Sequence, residues 1–494
     1  MYRWLFIFLI SAQNLWSQPH ARLTPEVLQS YNLVFSLRFQ EAETLIAEGK
    51  KSDNQNLQYT YLENYIDYLS LFISEDVHTF ETLSNNKSDR LSQVELLPKS
   101  EPFRLFMIAN INLQWALSRL KFGEYSTAGL EFIRAYRAIE ENQQLFPDFL
   151  PNQITLGAIH AMIGVVPDKY QWMLKIINLS GSVAQGKQEL SQALELTNNN
   201  KQYKMFRQEI LFYLALINMN FYDKTTNLDT LKQLLTEENP DNLLLKYMTI
   251  NLLMRTGKND AALEAFSSID SLNQYYPFYY LEYLKAECYL RRMDTPNASD
   301  SYQDFIQNFA GTNYLTDAHR KLAWCSLLAG DTTAYFAHLT EITRSETEVG
   351  IDKEAKREAQ QKTVPNVSLI KSRLLFDGGY YHKAYSELIE MNLTKLTNEQ
   401  KLEREYRLAR IYDKTEQWQK AITAYRKTMT MGKTSQNYFA GNSALLLGNI
   451  FETKADTLSA IRAYEQCLDM DFEVYRNSIQ TKARQQLKKL KSQN

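Results

Sequence analysis

Residues 403–429 read EREYRLARIYDKTEQWQKAITAYRKTM. Leu408, Ala409 and Tyr412 fall on one face of a first helix, and Trp418, Ala421 and Tyr425 on one face of a second, because residues three and four apart share a helix face. The small residues Ala409 and Ala421 let two helix backbones approach, and the rings fill the space on either side. The same arrangement recurs downstream, where Leu447, Gly448 and Phe451 repeat the first set and Ala460, Tyr464 and Cys467 the second. Upstream, Ser372 and Leu375 pair with Tyr381, Ala384 and Leu388 across a turn at Gly378-Gly379. Ala384, Ala421 and Ala460 are therefore equivalent positions, offset by 37 and 39 residues.

This pattern resembles the tetratricopeptide repeat, a helix–turn–helix unit of about 34 residues with small residues at its crossing points. The longer spacing here implies extensions between units, such as residues 430–438. Weaker copies lie upstream: Ala116, Arg119, Gly123, Tyr125, Ala128, Phe132 and Ala135; Gly257, Ala262 and Phe266; Ala286, Tyr289, Ala298 and Tyr302; Leu322, Ala323 and Gly330; and a first unit centred on Ala42. The expected fold is all-α, a tetratricopeptide-like α-solenoid of antiparallel helical hairpins. Low Gly and Pro content, 16 and 11 residues, suits long helices. The 31 Tyr and 24 Phe supply the rings that fill gaps between paired helices.

Two stretches interrupt the pattern. Residues 147–190 carry Pro147 and Pro151, which start a helix at or after Asn152, an apolar run to Val166, Pro167, then Tyr170, Trp172 and Met173. A turn is expected from Gly181 to Gly186, with Ser182 capping the next helix. This segment is similar to one in a eukaryotic tetratricopeptide family of the outer mitochondrial membrane and cytosol, in which a hydrophobic helix and Pro- and Gly-containing turns interrupt the repeats. No function is carried across on that resemblance. The second interruption, 341–365, is charged and closed by Pro365. It reads as a solvated spacer, with a partner-binding helix as the alternative. The expected organisation is thus a leader at 1–17, an N-terminal array at 18–340 with the insert at 147–190, a spacer at 341–365, and a C-terminal array at 366–494. In the last of these, Leu487 and Leu490 belong to a capping helix.

The first twenty residues, MYRWLFIFLISAQNLWSQPH, resemble a secretory signal peptide with a small residue, Ser17, at the cleavage point. A cut before Gln18 resembles exported proteins of Bacteroidota, and the periplasm is the compartment that resemblance implies. The apolar run is too short to span a bilayer, and no later stretch has 18 uninterrupted apolar residues. Cys288, Cys325 and Cys467 are too few for a disulfide framework. They read as buried small hydrophobes, with a bridge between Cys288 and Cys325 as the alternative.

With 55 basic and 57 acidic residues, nothing recruits nucleic acid. The six histidines show no ligand spacing, and no metalloprotease, redox, nucleophile-elbow or phosphate-loop motif occurs. No catalytic residue, cofactor or metal is expected. Glu63 and Asp67, one turn apart among Tyr59, Tyr61, Tyr65 and Tyr68, invite a carbohydrate reading, but one turn is also the spacing of any polar stripe. Glu399, Glu403 and Glu405 sit near a helix start, where carboxylates favour the dipole.

A helical array of this kind holds partners in a groove lined by its first helices. The positions expected there are Arg404, Arg407, Arg410, Asp413, Asn442 and Asn449. Of these, Arg407 and Arg410 are placed to take a carboxylate or an acidic segment, the alternative being that they are simply solvated. The expected partner is a protein, with no nucleic acid and no direct membrane span. The leading reading is a periplasmic scaffold or accessory subunit of an outer-membrane assembly, secretion or gliding complex. The alternatives are a module capturing a peptide or carbohydrate, a transient chaperone, or, without export, a cytosolic adaptor.

Overall fold

The computed structural model describes residues 18–166, 174, 177–220, 228–269, 272–342 and 350–492. The leader read at 1–17, residues 167–173 of the insert and residues 343–349 of the charged stretch lie outside them. Regular structure among the described residues is helical, apart from one isolated bridge between His20 and Asn56.

The chain divides into two compact units. The first takes in the described residues of 1–165, 176–217 and 273–276. It holds α1 (Pro25–Phe35), α2 (Phe39–Ser52), α3 (Gln58–Ser74), α4 (Val77–Leu83), α5 (Asn86–Val94), α6 (Pro102–Lys121), α7 (Tyr125–Leu145), α8 (Pro151–Gly164), α9 (Val183–Asn199) and most of α10 (Arg207–Asn220). The second takes in the described residues of 166–175, 218–272 and 277–494. It holds α11 (Leu228–Glu238), α12 (Leu243–Arg255), α13 (Asn259–Ser267), α14 (Tyr280–Arg291), α15 (Thr295–Asn308), α16 (Leu315–Leu328), α17 (Thr332–Ile342) and α18 (Gly350–Gln361). After these come α19 (Val367–Asp377), α20 (Tyr381–Ile389), α21 (Asn398–Lys414), α22 (Trp418–Met431), α23 (Phe439–Thr453), α24 (Thr457–Asp469) and α25 (Arg476–Ser492).

One turn is built eight times among the described residues. A single residue takes the left-handed conformation after each first helix: Leu37, Gly123, Gly257, Met293, Gly330, Gly379, Glu416 and Ala455. The next amide then donates to the carbonyl five residues back, as in Glu124 to Arg119, Asp294 to Tyr289 and Gln417 to Tyr412, at 2.8–3.0 Å. This is the Schellman closure, which satisfies carbonyls that a helix end leaves open. Five residues beyond the left-handed one stands a buried alanine: Ala42, Ala128, Ala262, Ala298, Ala384, Ala421 and Ala460. Seven residues before it stands another small side chain at Ser30, Ala116, Ala286, Ala323, Ser372, Ala409 and Gly448. The turn therefore sets which residues of the two helices face each other, and the small pair lets the backbones close. At Gly448 a Cβ would lie 2.4 Å from the Tyr464 ring. The result is the expected all-α, tetratricopeptide-like stack of hairpins, and α25 closes it by adding Ile479, Ala483 and Leu490 to the core.

From Gly257 to Ala455 the left-handed residues are spaced 36, 37, 49, 37 and 39 apart. The long interval contains α18, a helix of 12 residues. The described residues of 341–365 are therefore not a solvated spacer between arrays: they fall within the second unit, and their helix is packed. Ala355 and Ala359 are buried one turn apart against α16 and α17. Asp352 is fully buried and accepts the amides of Tyr314 and Asp317 at 2.8 Å each, capping α16 from a neighbouring helix. Glu358 accepts the Trp324 indole at 2.7 Å. Tyr335, which replaces the crossing alanine in the α16–α17 hairpin, reaches Glu358 and the Thr363 carbonyl. Beyond α18, the next hairpin returns along the earlier first helices, with α19 packing on α14 and α16. The Gly379 turn meets the Gly257 turn so closely that a Cβ on Gly379 would lie 1.9 Å from the Gly257 carbonyl oxygen.

The described residues of 147–190 likewise hold a packed helix pair. The α8 helix starts at Pro151 and packs on α9, which Ser182 caps through the Gln185 amide at 3.1 Å. Gly186 lies inside α9 instead of closing a turn. A Cβ there would sit 2.3 Å from the Gly157 oxygen. Elsewhere in the first unit, the buried Glu209 of α10 accepts hydroxyls from Tyr31 of α1, Tyr65 of α3 and Tyr213, tying three helices together. Burial pushes its carboxyl up, and the three phenols work against that shift. The three cysteines are buried free thiols with no bridge, and burial raises Cys288 and Cys467 to about 12 and Cys325 to about 11.

Two measurements follow from this packing. Gly379→Ala, with both a positive φ and a backbone clash, is expected to cost about 3 kcal/mol or more in urea melts. Gly330→Ala, where nothing lies within 4 Å of the new Cβ, is expected to cost only ~1 kcal/mol. Glu416→Gly relieves a left-handed non-glycine residue and is expected to stabilise by up to ~1 kcal/mol. Equal losses at Gly379 and Gly330 would contradict the contact. The second measurement concerns Glu287 in α14, which accepts from Lys321 at 2.7 Å, Tyr302 at 2.6 Å and Arg291 at 3.3 Å. Burial alone would raise its carboxyl, but Lys321 and Arg291 outweigh it and hold it down to about 2. A folded value below the unfolded one means its stabilisation is complete above pH ~4.5 and fades as pH falls toward about 2. Glu287→Gln should cost ~3 kcal/mol at neutral pH, and its deficit against the parent should shrink on acidification.

Candidate functional site

The first helices α19, α21 and α23 present the face on which the partner-binding residues were expected. Helix α21 begins with a reciprocal cap: Thr397 accepts the Gln400 amide at 3.2 Å, and Gln400 accepts the Thr397 amide at 3.1 Å. From that start, Glu403, Tyr406, Arg407 and Arg410 follow at three- and four-residue steps along one side.

The structure separates the expected residues by role. Arg404 turns away and donates Nε to the Leu388 carbonyl at 2.8 Å, closing the C-terminal end of α20. Arg407 pairs with Glu403 one turn before it. Arg410 lies 4.6 Å over the Phe376 ring and donates to the Tyr406 hydroxyl at 2.9 Å. Asn442 donates to the same hydroxyl at 2.6 Å. Asn449 accepts from Tyr464 at 2.8 Å within its own hairpin, and Asp413 accepts from Tyr425 at 3.0 Å. Burial pushes the Asp413 carboxyl up, and the Tyr425 hydroxyl opposes that. Arg407 and Arg410 therefore come together, with Asn442 joined to them through Tyr406, while Arg404, Asp413 and Asn449 serve the packing.

The arginines border a pocket of about 160 Å³. Arg373 of α19 completes a group of three guanidinium side chains there, with the rings of Phe376, Tyr406 and Tyr438 as walls and Asp377 as its one carboxylate. Arg373 sits 5.3 Å over the Trp324 ring. Sequence reading missed it, although the repeat register marks it: Arg373 stands 37 residues before Arg410, the same offset that separates Ala384 from Ala421. Tyr406, 1% exposed, was missed because its outline is that of a core residue. Tyr438 was assigned to a loop extension.

No histidine or cysteine lines this pocket. Among the described residues, no group of three His, Cys, Asp or Glu side chains is arranged to hold a metal. The carboxylates that invited a sugar-cleaving reading are each engaged, Glu63 by Lys50 at 2.6 Å and Asp67 by Arg90 and Asn86. His160 is buried and held by Glu189 at 2.7 Å. No helix of the described residues is long and apolar enough to cross a membrane. The chemistry on offer is recognition: positive charge and hydrogen-bond donors framed by aromatic surface.

The tetratricopeptide repeat family matches residues 406–437, which span most of α21, all of α22 and the loop after it. No curated protein matches the sequence. Among solved structures, the crystal structure of the APC/C heterotetramer Cut9–Hcn1 aligns over 95% of this chain and 96% of that one, at 12% identity and a TM-score of 0.23. Agreement that loose carries no argument about this chain.

Tyr406 takes two donors at a buried hydroxyl, whereas Arg407 makes a partly exposed one-turn pair. Tyr406→Phe is expected to destabilise the chain by ~2 kcal/mol, and Arg407→Ala by ~0.5 kcal/mol or less. Paired urea melts read both, and a larger loss at Arg407 would mean that the arginine is structural.

Proposed function

We propose that this chain is a non-catalytic protein-binding scaffold, exported to the periplasm, that serves as an accessory subunit of an outer-membrane assembly, secretion or gliding complex. The observation that carries the binding role is the arginine- and tyrosine-lined pocket on the first helices of the C-terminal hairpins. Repeated hairpins produce a row of first helices, and the side chains on its groove face are the ones available to a partner. Arginine and tyrosine are the residue types that concentrate binding energy at protein interfaces. The compartment rests on the leader-like residues 1–17 alone.

Purification of the native protein from gently solubilised envelope, with mass spectrometry of what accompanies it, tests this reading. The expected result is a stoichiometric outer-membrane protein and a mature chain beginning at Gln18. Recovery alone and soluble in several detergents would overturn the stable-subunit role. An intact Met1 in the cytosolic fraction would overturn export.

A further inference from the structure

We infer that the pocket between α19 and α21 is an oxyanion-binding site, made to receive a carboxylate or phosphoryl group. On the scaffold reading, on which this part rests, that group belongs to the bound partner protein.

The argument starts from donors and acceptors. The Tyr406 hydroxyl receives hydrogen bonds from Arg410 and from Asn442, at 2.9 and 2.6 Å. A phenolic oxygen has two acceptor positions and one proton. Both acceptor positions are occupied, so the group remains only as a donor, in a side chain that is 1% exposed. No described residue accepts that proton. Tyr438, at the opposite wall, also has a hydroxyl with no hydrogen-bond partner among the described residues. Burial pushes this phenol up, so it stays protonated and donating at neutral pH. The guanidinium of Arg373 has no hydrogen-bond or ion-pair partner among the described residues, only the Trp324 face at 5.3 Å. Arg410 spends one of its N–H groups on Tyr406.

The unspent groups around this space are donors, against a single carboxylate, Asp377. Glu403 already takes up Arg407, but the half-buried guanidinium groups of Arg373 and Arg410 share only Asp377 here, so they repel one another, and the donors facing the pocket have water as their only acceptor. One small anion removes both costs. An oxyanion has the shape for it, because planar guanidinium edges and O–H donors converge on oxygen. A volume of about 160 Å³ suits one such group with a few waters, each of which occupies about 30 Å³ in the liquid.

The test uses the full chain and needs no partner, so its outcome is independent of whether a partner is found. The melting midpoint is followed during titration with inorganic phosphate and, separately, with acetate, each against sodium chloride at equal ionic strength. A site of this kind gives a saturable rise above the chloride control, because only the folded state binds. Phosphate alone raising the midpoint identifies a phosphoryl group, and acetate raising it identifies a carboxylate. Tyr438→Phe, which breaks no hydrogen bond to a described residue, is expected to weaken binding about tenfold, and Arg373→Gln to abolish it. A rise no greater than that of chloride, or a rise unchanged in both variants, overturns the proposal. Anion binding without a retrievable partner would leave the site standing and the scaffold reading overturned.

Discussion

Eight hairpins among the described residues depend on the closure of one turn. A helix end leaves carbonyls without partners, and a single left-handed residue lets the chain satisfy them and reverse direction within three residues. Because the same closure recurs, the phase of each second helix relative to its first is set before any long-range contact forms. In all but two of the hairpins, a small residue seven positions before the left-handed one and an alanine five positions after it then meet at the crossing. The hydrophobic effect drives the pairing, but the turn decides which faces are available to be buried. Four of these turns use a residue other than glycine at the left-handed position, so stability is given up there to keep the geometry.

Polar side chains add a second set of constraints to this scaffold. Glu209, Glu287 and Asp352 are all buried, and each accepts from donors on at least one other helix. Removing a charge from water is expensive unless such partners are in place. These groups therefore contribute less to gross stability than to specificity, since a shifted register would strand them without donors. Asp352 illustrates the point. It belongs to an added helix and caps a different one, so α18 is docked by hydrogen bonds as well as by Ala355 and Ala359.

The added helix also positions the pocket. By lengthening one interval to 49 residues, α18 lets α19 come back along α14 and α16. Arg373 is thereby supported by Trp324, from a hairpin that precedes α18 in the chain. Helix α19 also delivers Phe376 beneath Arg410. A charged stretch that looks like a linker thus has a part in assembling the arginine-lined pocket beyond it. Tyr406 links the two levels, since its ring belongs to the core while its hydroxyl gathers Arg410 and Asn442.

The sequence by itself determined the hairpins, because their information is local. Ala384, Ala421 and Ala460 fix the period, Gly378-Gly379 marks a turn, and ring–small–ring spacing fixes the buried faces, each signal lying within one repeat or between neighbouring repeats. It also put Arg407 and Arg410 on one side of their helix. Only the tertiary structure decided that α18 is packed, that α8 and α9 pack closely at Gly157 and Gly186, and that Arg404 and Asn449 serve neighbouring helices. Charge content in a short segment says that water is tolerated, not whether a partner helix is present. The role of an arginine likewise depends on which carbonyl, ring or carboxylate lies within reach, and distant parts of the chain supply those groups. Arg373 joins Arg410 because two hairpins stack, and Tyr406 becomes a donor because two other side chains have already used its lone pairs. Such facts belong to contacts between repeats, whereas the sequence signal is confined to the repeat itself.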